Sequence, residues 1–152
     1  MKQELDSTPS ISVFHDFHKP PYGGGNQFMI ALTSELERRG MKIERNKLSH
    51  TTIACLFNSF NFNFDELLNK SKFSDSVRMV HRVDGPVDKY RGDDRGIDRE
   101  IWQLNNKIAN TTIFQSNYSL HSHKILGMDF VDPVVISNTV DPLIFFPSNK
   151  ID

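Results

Sequence analysis

Cysteine is nearly missing from this chain. Its one copy, Cys55, lies in the apolar run "TTIACLFNSF" and cannot form an internal disulfide, so a reducing, cytosolic setting is the expectation. No uncharged apolar stretch is long enough to cross a bilayer, and the opening "MKQELDSTPS" lacks the apolar centre of a secretory leader. The Asn-x-Ser/Thr triplets at Asn69, Asn110 and Asn117 accordingly read as chance matches. Peripheral contact with a membrane stays open. Neither sign of charge dominates: 18 basic residues face 19 acidic ones, for a net charge of -1. That balance removes the attraction on which nucleic-acid binding rests. Repeats and low-complexity segments are lacking too, and 152 residues supply one real core rather than two.

What is present alternates. "SISVFHDF" (Ser10 to Phe17) is β-branched and aromatic and is closed by Lys19-Pro20-Pro21, which predicts a strand and a breaker. In "NQFMIALTSELERRG", Phe28, Ala31, Leu32 and Leu36 recur at helical spacing and Gly40 stops the run. "MKIER" and "TIACLFNSF" predict two more strands, the second apolar on both sides as in a buried parallel sheet. A short helix in "NFDELLNKSKF" leads to strand four, "VRMVHRVDG", and then to a charged stretch, "PVDKYRGDDRG", which reads as a solvated loop. Ile97, Ile101, Leu104 and Ile108 form a helical stripe ending near Asn110. "TTIFQS" is strand five, Ser116 a helix cap, "NYSLHSHKILG" a helix closed by Gly127, and "PVVISN" strand six.

This pattern predicts an α/β, Rossmann-like domain, with a mainly parallel sheet and helices on both faces. It runs over residues 10-147, after a flexible arm at 1-9 and before a linker or tail at 148-152. Ligands in such sheets bind beyond the carboxyl ends of the strands. The loops after Phe17, Val83 and Ser116, with the turn at Asn138, therefore gather around one cleft.

Three consecutive glycines, Gly23 to Gly25, open the first helix. A helix start offers unsatisfied N–H groups and a positive dipole end, and glycine lets an anion approach them. A P-loop is excluded because no Gly-Lys-Ser/Thr follows. The dinucleotide fingerprint is met partway: Gly23 and Gly25 match, and Glu44 lies about twenty residues on. Phe28 stands where that fingerprint wants a third small residue, and "HKPPY" separates strand from glycines. A plain tight turn is the bland alternative, at a cost of about 0.5–1 kcal/mol per glycine relative to alanine. "HDFH" suggests a metal site at His15, Asp16 and His18, perhaps joined by His121 and His123, but lacks a partner at reliable spacing, so none is expected.

The chain resembles the amino-terminal half of a GT-B glycosyltransferase of the glycosyltransferase 4 family. The resemblance is carried by "ISVFHDF", "PPYGGG", "LTSELERRGMKI", "MVHRVDG", "ANTTIFQSNYS" and the closing "VISNTVDPLIFFP". The last matches at Val135, Ile136, Asn138, Val140, Asp141, Phe145 and Pro147, while Ser137 and Thr139 depart from the usual Pro and Gly.

The resemblance implies sugar transfer with retention from a nucleotide sugar to a saccharide or lipid-linked acceptor, with no metal or other cofactor. Gly23, Gly24, Gly25 and Asn26 would meet the donor diphosphate, and His81 would act at the reacting sugar. Asp16, His18, Arg82, Asp84 and Ser116 would line the acceptor side, with Lys89, Arg91 and Arg95 as outlying contacts for an anionic acceptor. The family's second domain carries two glutamates spaced E-x7-E, whereas those here, at 4, 35, 37, 44, 66 and 100, include no such pair. Half of the expected active site is therefore lacking. The chain is either naturally short or one domain of a longer enzyme, and weak or no transfer alone is the expectation. The alternatives are a non-catalytic Rossmann-like binding module for a small anionic or sugar ligand or a partner protein, and a nicotinamide-dependent enzyme; the uncovered apolar surface could also drive self-association.

Overall fold

The computed structural model describes residues 7-72 and 76-139. Val140, Asp141, Phe145 and Pro147 of the closing motif lie outside the described residues. Six strands form one sheet: β1 (Ser10–Phe14), β2 (Lys42–Arg45), β3 (Thr52–Asn58), β4 (Arg78–Val83), β5 (Thr111–Phe114) and β6 (Pro133–Val135). Their order is β2-β1-β3-β4-β5-β6, every neighbour is parallel, and five helices connect them. This is the predicted Rossmann-like sheet. The chain runs outward from β1 to β2, then crosses back to β3 on the other side of β1. That reversal puts a crevice beyond the carboxyl end of β1.

Register decides which side chains meet. Phe14 pairs with Phe57 and Phe57 with His81, while Leu56 pairs with Val80 and Asn58 with Arg82. Because successive side chains point to opposite faces, Phe14, Phe57 and His81 lie on one face, Asn58 and Arg82 on the other. The first face is covered by α2 (Phe64–Ser71) and α4 (Ile97–Ile108), which bury Leu67, Leu104 and Ile101 against Phe14, Cys55, Phe57, Met79 and Val83. The second is covered by α1 (Gly24–Arg38), whose Phe28 ring lies 4.3 Å from the Arg82 guanidinium. That contact explains why a large residue stands where a dinucleotide site needs a small one.

Local chemistry sets the helix ends. Asn63 caps α2 by accepting from the Glu66 N–H, and Ser116 caps α5 (Asn117–Ile125) by accepting from the Ser119 N–H. The charged stretch after Gly85 is not wholly a solvated loop. It contains a short helix, α3 (Val87–Arg91), fastened by the buried Asp98, whose two carboxylate oxygens accept from the N–H groups of Val87 and Asp88 at 2.8 and 2.9 Å. An acidic side chain 1 % exposed is tolerable because both oxygens are bonded. At the far edge, Val134, Val135 and Ile136 stay exposed on and just after β6.

Candidate functional site

The segment from β1 to α1 is irregular in shape, and two asparagines hold it. Asn46 accepts from the His15 N–H at 2.9 Å and donates to the His15 carbonyl at 3.0 Å. Asn26 does the same for His18, with both distances 2.9 Å. Each amide thus mimics a strand neighbour and satisfies one loop residue's whole main chain. Asn26 is 3 % exposed and its side chain is committed to this clamp, so only its main-chain N–H is left for a ligand.

Between the clamps lies a hollow of about 220 Å³, walled by His15, Asp16, His18, Tyr22, Gly23, Gly25, Asn26 and Asn61. This is below the roughly 300 Å³ at which drug-sized pockets begin; it suits one small polar group. The His18 and Tyr22 rings stack obliquely at its rim, 4.2 Å apart. α1 begins here with no side-chain cap, Gly23 taking φ +45. Its first regular bond is from the Gln27 N–H to the Gly23 carbonyl, which leaves the N–H groups of Gly24, Gly25 and Asn26 without an intrahelical acceptor. A side chain at Gly23 or Gly24 would meet no atom within 4 Å, and one at Gly25 would touch only the Asn58 and Asp84 side chains. Gly23 and Gly24 therefore present bare main chain toward open space, while Gly25 faces the polar side chains of Asn58 and Asp84.

Behind Gly25 sits a buried polar hub. Arg82, 3 % exposed, donates from Nη1 to Asn58 Oδ1 at 2.7 Å and to Asp84 Oδ1 at 2.8 Å, and from Nη2 to Gln115 and Asn138 at 3.4 Å each. Asn138 also donates to Gln115 at 2.6 Å. One guanidinium thus joins the ends of β3, β4 and β5 to the turn after β6; the end of β3 was not among the loops expected around the cleft.

His81 is placed elsewhere. Its side chain is fully buried on the opposite face, stacked on Phe57 with ring centroids 4.3 Å apart. Nε2 bonds the Ser59 carbonyl at 3.1 Å and Nδ1 meets the Asn105 amide nitrogen at 3.2 Å. Burial drives its pKa down to about 3. With both nitrogens engaged inside the core, His81 has no access to the hollow in this structure, which corrects its reading as the residue at the reacting sugar. Strand parity is the reason: the site lies on the face of Asn58 and Arg82. Ser116 spends its hydroxyl on the α5 cap. Glu44 accepts from the hydroxyls of Ser10 and Thr52 at 3.0 and 2.6 Å, so it is not a free ribose-binding acid.

Asp16, His18, Gly23, Gly25 and Asn26 line the hollow, Gly24 does not, and Asp84 lies behind Gly25 with Arg82 bonded to it. Sequence reasoning set His15 aside with the metal reading and missed Asn58 and Asn61. His15 is 1 % exposed, its Nδ1 lies 3.3 Å from Asn58 Nδ2, and its Nε2 has no partner. Burial holds its pKa below the ordinary value, against the opposing pull of Asn26 and Asp16. The alternation His15, Val13, Ile11 along β1 was the available signal.

A larger hollow of about 460 Å³ lies between α2 and α4 among Phe60, Phe62, Phe64 and Leu104; none of the unpartnered buried polar atoms of the described residues is in its wall. Among those residues no three of His, Cys, Asp and Glu converge as metal ligands, and no helix is long and apolar enough to cross a membrane.

A six-stranded parallel sheet with connecting helices and a switch point beside β1 is a Rossmann-like α/β architecture. No family model matches the chain, and no curated protein matches it in sequence. Solved structures do match in fold. The chain is similar to Alr3699/HepE of Anabaena in complex with UDP-glucose, with a TM-score of 0.59 and 16% identity over 91% of this chain and 46% of that one. The same protein in complex with UDP and glucose gives the same score and identity over 91% and 47%. The chain thus spans about half the length of that protein.

Proposed function

We propose that this chain is the acceptor-side half of a GT-B glycosyltransferase resembling family 4, and that its hollow receives the diphosphate of a nucleotide sugar. The observation that carries this reading is the uncapped α1 start, with three N–H groups free of intrahelical acceptors and no Cβ in the way. Support comes from the fold shared with a protein crystallised with UDP-glucose.

Departure of a diphosphate from an anomeric carbon builds negative charge on its oxygens as the sugar takes on oxocarbenium character. Main-chain N–H groups fixed by a helix stabilise that charge without reorganising. Asp16 and His18, at the rim, are placed to meet acceptor hydroxyls. Arg82 and Asp84 act from behind Gly25 as a rigid backing rather than as acceptor contacts. His81 serves by ordering the end of β4. The facing wall, with its glutamates and phosphate-binding cations, belongs to a second domain, so the chain alone binds but turns over little or nothing.

Isothermal titration of the purified chain with UDP-glucose, GDP-mannose and NAD tests this. Binding of a nucleotide sugar is expected, and Gly24→Asp should abolish it: the added carboxylate enters open space, favours the helix start and repels the diphosphate. Binding of NAD in preference to the sugars, or binding indifferent to Gly24→Asp, would overturn the reading. Turnover of a nucleotide sugar by the chain alone would refute the half-site argument.

A further inference from the structure

The tautomer of His15 can be deduced from its neighbours. Arg82 donates to Asn58 Oδ1 at 2.7 Å, and a guanidinium has only donors, so the Asn58 amide is oriented with its oxygen toward Arg82. Its nitrogen then faces His15 Nδ1 at 3.3 Å. An amide nitrogen can only donate, so Nδ1 is the bare acceptor and the ring hydrogen sits on Nε2. That Nε2 has no partner within hydrogen-bond geometry, the Asn26 amide coming only near enough to pull the ring's pKa upward, although the ring is 1 % exposed and forms part of the wall of the hollow at the α1 start. A buried N–H left unpaired is costly, and the same hollow is lined by Gly25 and Asn26 in the first turn of α1, whose N–H groups lack intrahelical acceptors. Acceptors are what the hollow needs.

We propose that His15 is a neutral hydrogen-bond donor to a phosphoryl oxygen bound at the start of α1, and that Arg82 is the positioning residue that locks its tautomer through Asn58. This deepens the nucleotide-sugar reading and assigns a residue to it. Asp84 balances the Arg82 charge at 2.8 Å, so the relay delivers orientation rather than net charge. Of the other titratable groups at the hollow, Asp16 and His18 stand on its rim.

The test uses the full chain labelled with 15N, read by long-range proton–nitrogen correlation of the His15 ring at pH 9, with sodium pyrophosphate and UDP-glucose as separate probes. The wild type should show the Nε2–H tautomer, and its Nε2 signal should move on saturation with pyrophosphate. Asn58→Asp offers Nδ1 an acceptor and should move the hydrogen to Nδ1, weakening pyrophosphate binding roughly tenfold to a hundredfold. Arg82→Met releases the Asn58 amide and should give a mixture of tautomers, a signature that loss of packing alone would not produce. A wild-type Nδ1–H ring overturns the proposal even where a variant fails to fold. So does binding of pyrophosphate with the ring signals unmoved, or no binding of either probe. Pyrophosphate binding that moves Nε2, with UDP-glucose ignored, upholds this proposal and defeats the nucleotide-sugar reading; UDP-glucose binding with Nε2 unmoved does the reverse.

Discussion

Acidification from pH 7 to pH 5 should destabilise this protein through His81, by an amount the structure sets. Asn105 cannot turn to accommodate a proton on Nδ1: its oxygen accepts from the Val131 N–H at 2.9 Å, and its nitrogen donates to Thr112 at 2.7 Å as well as facing His81. The ring is therefore held neutral, with a pKa of about 3 against an ordinary 6.5. Between those values the unfolded chain binds about one proton that the folded one refuses, so stability is full above 6.5 and falls as pH drops toward 3. Each pKa unit corresponds to about 1.4 kcal/mol. Allowing for partial protonation near 6.5, the loss between pH 7 and pH 5 comes to about 2 kcal/mol, a sizeable share of the usual 5–15 kcal/mol. His15 and His123, whose pKa values burial also lowers, add to the fall in the same direction.

The assay is urea unfolding followed by fluorescence of Trp102, the one tryptophan, whose indole N–H bonds the Asp129 carbonyl at 2.8 Å. Wild type and His81→Gln are compared at the two pH values. The variant is expected to be less stable at pH 7 but to lose about 2 kcal/mol less on acidification. Equal losses in the two proteins would refute the claim that His81 is buried and neutral, and would restore it as a candidate for chemistry.

Two further outcomes follow from buried groups elsewhere. Cys55 is fully buried and its thiol is pushed up to about 12 by burial, so at pH 8 a maleimide should label it only as fast as the chain unfolds; rapid labelling of the native protein would contradict that burial. Asn26→Ala removes both clamp bonds to His18 and leaves two main-chain groups to find other partners. A destabilisation of about 1–3 kcal/mol is expected, with the largest amide shift changes confined to residues 15-25; an unchanged urea midpoint would show that the loop does not depend on the clamp.

Much of the architecture was legible in the sequence because period and punctuation agree. The stripe of Ile97, Ile101, Leu104 and Ile108 and the Ser116 cap give their elements directly, as does the alternation of strands with helices. What escaped was tertiary. α3 hides in "PVDKYRGDDRG" because its first N–H groups are satisfied by Asp98, ten and eleven residues on. The candidate site was half legible. Glycines before a helix drew attention to this end of the sheet, and five of the residues named there, Asp16, His18, Gly23, Gly25 and Asn26, line one hollow. His81 misled because its place at a strand end is right while its parity is wrong, and parity acquires meaning only once Asn58 is known to pair with Arg82. Asn26 and Asn46 could not be told from ordinary loop asparagines, since what they hold is main chain eight and thirty-one residues away.

That division of labour between asparagines and loop has a consequence for how such a site changes over time. Asn26 and Asn46 grip only the main chain of His18 and His15, so the frame of the socket makes no demand on the side chains at positions 16, 18 and 22 that line it. A lineage can therefore exchange those linings one at a time, trying new ligands, while the glycines and the helix behind them stay in register.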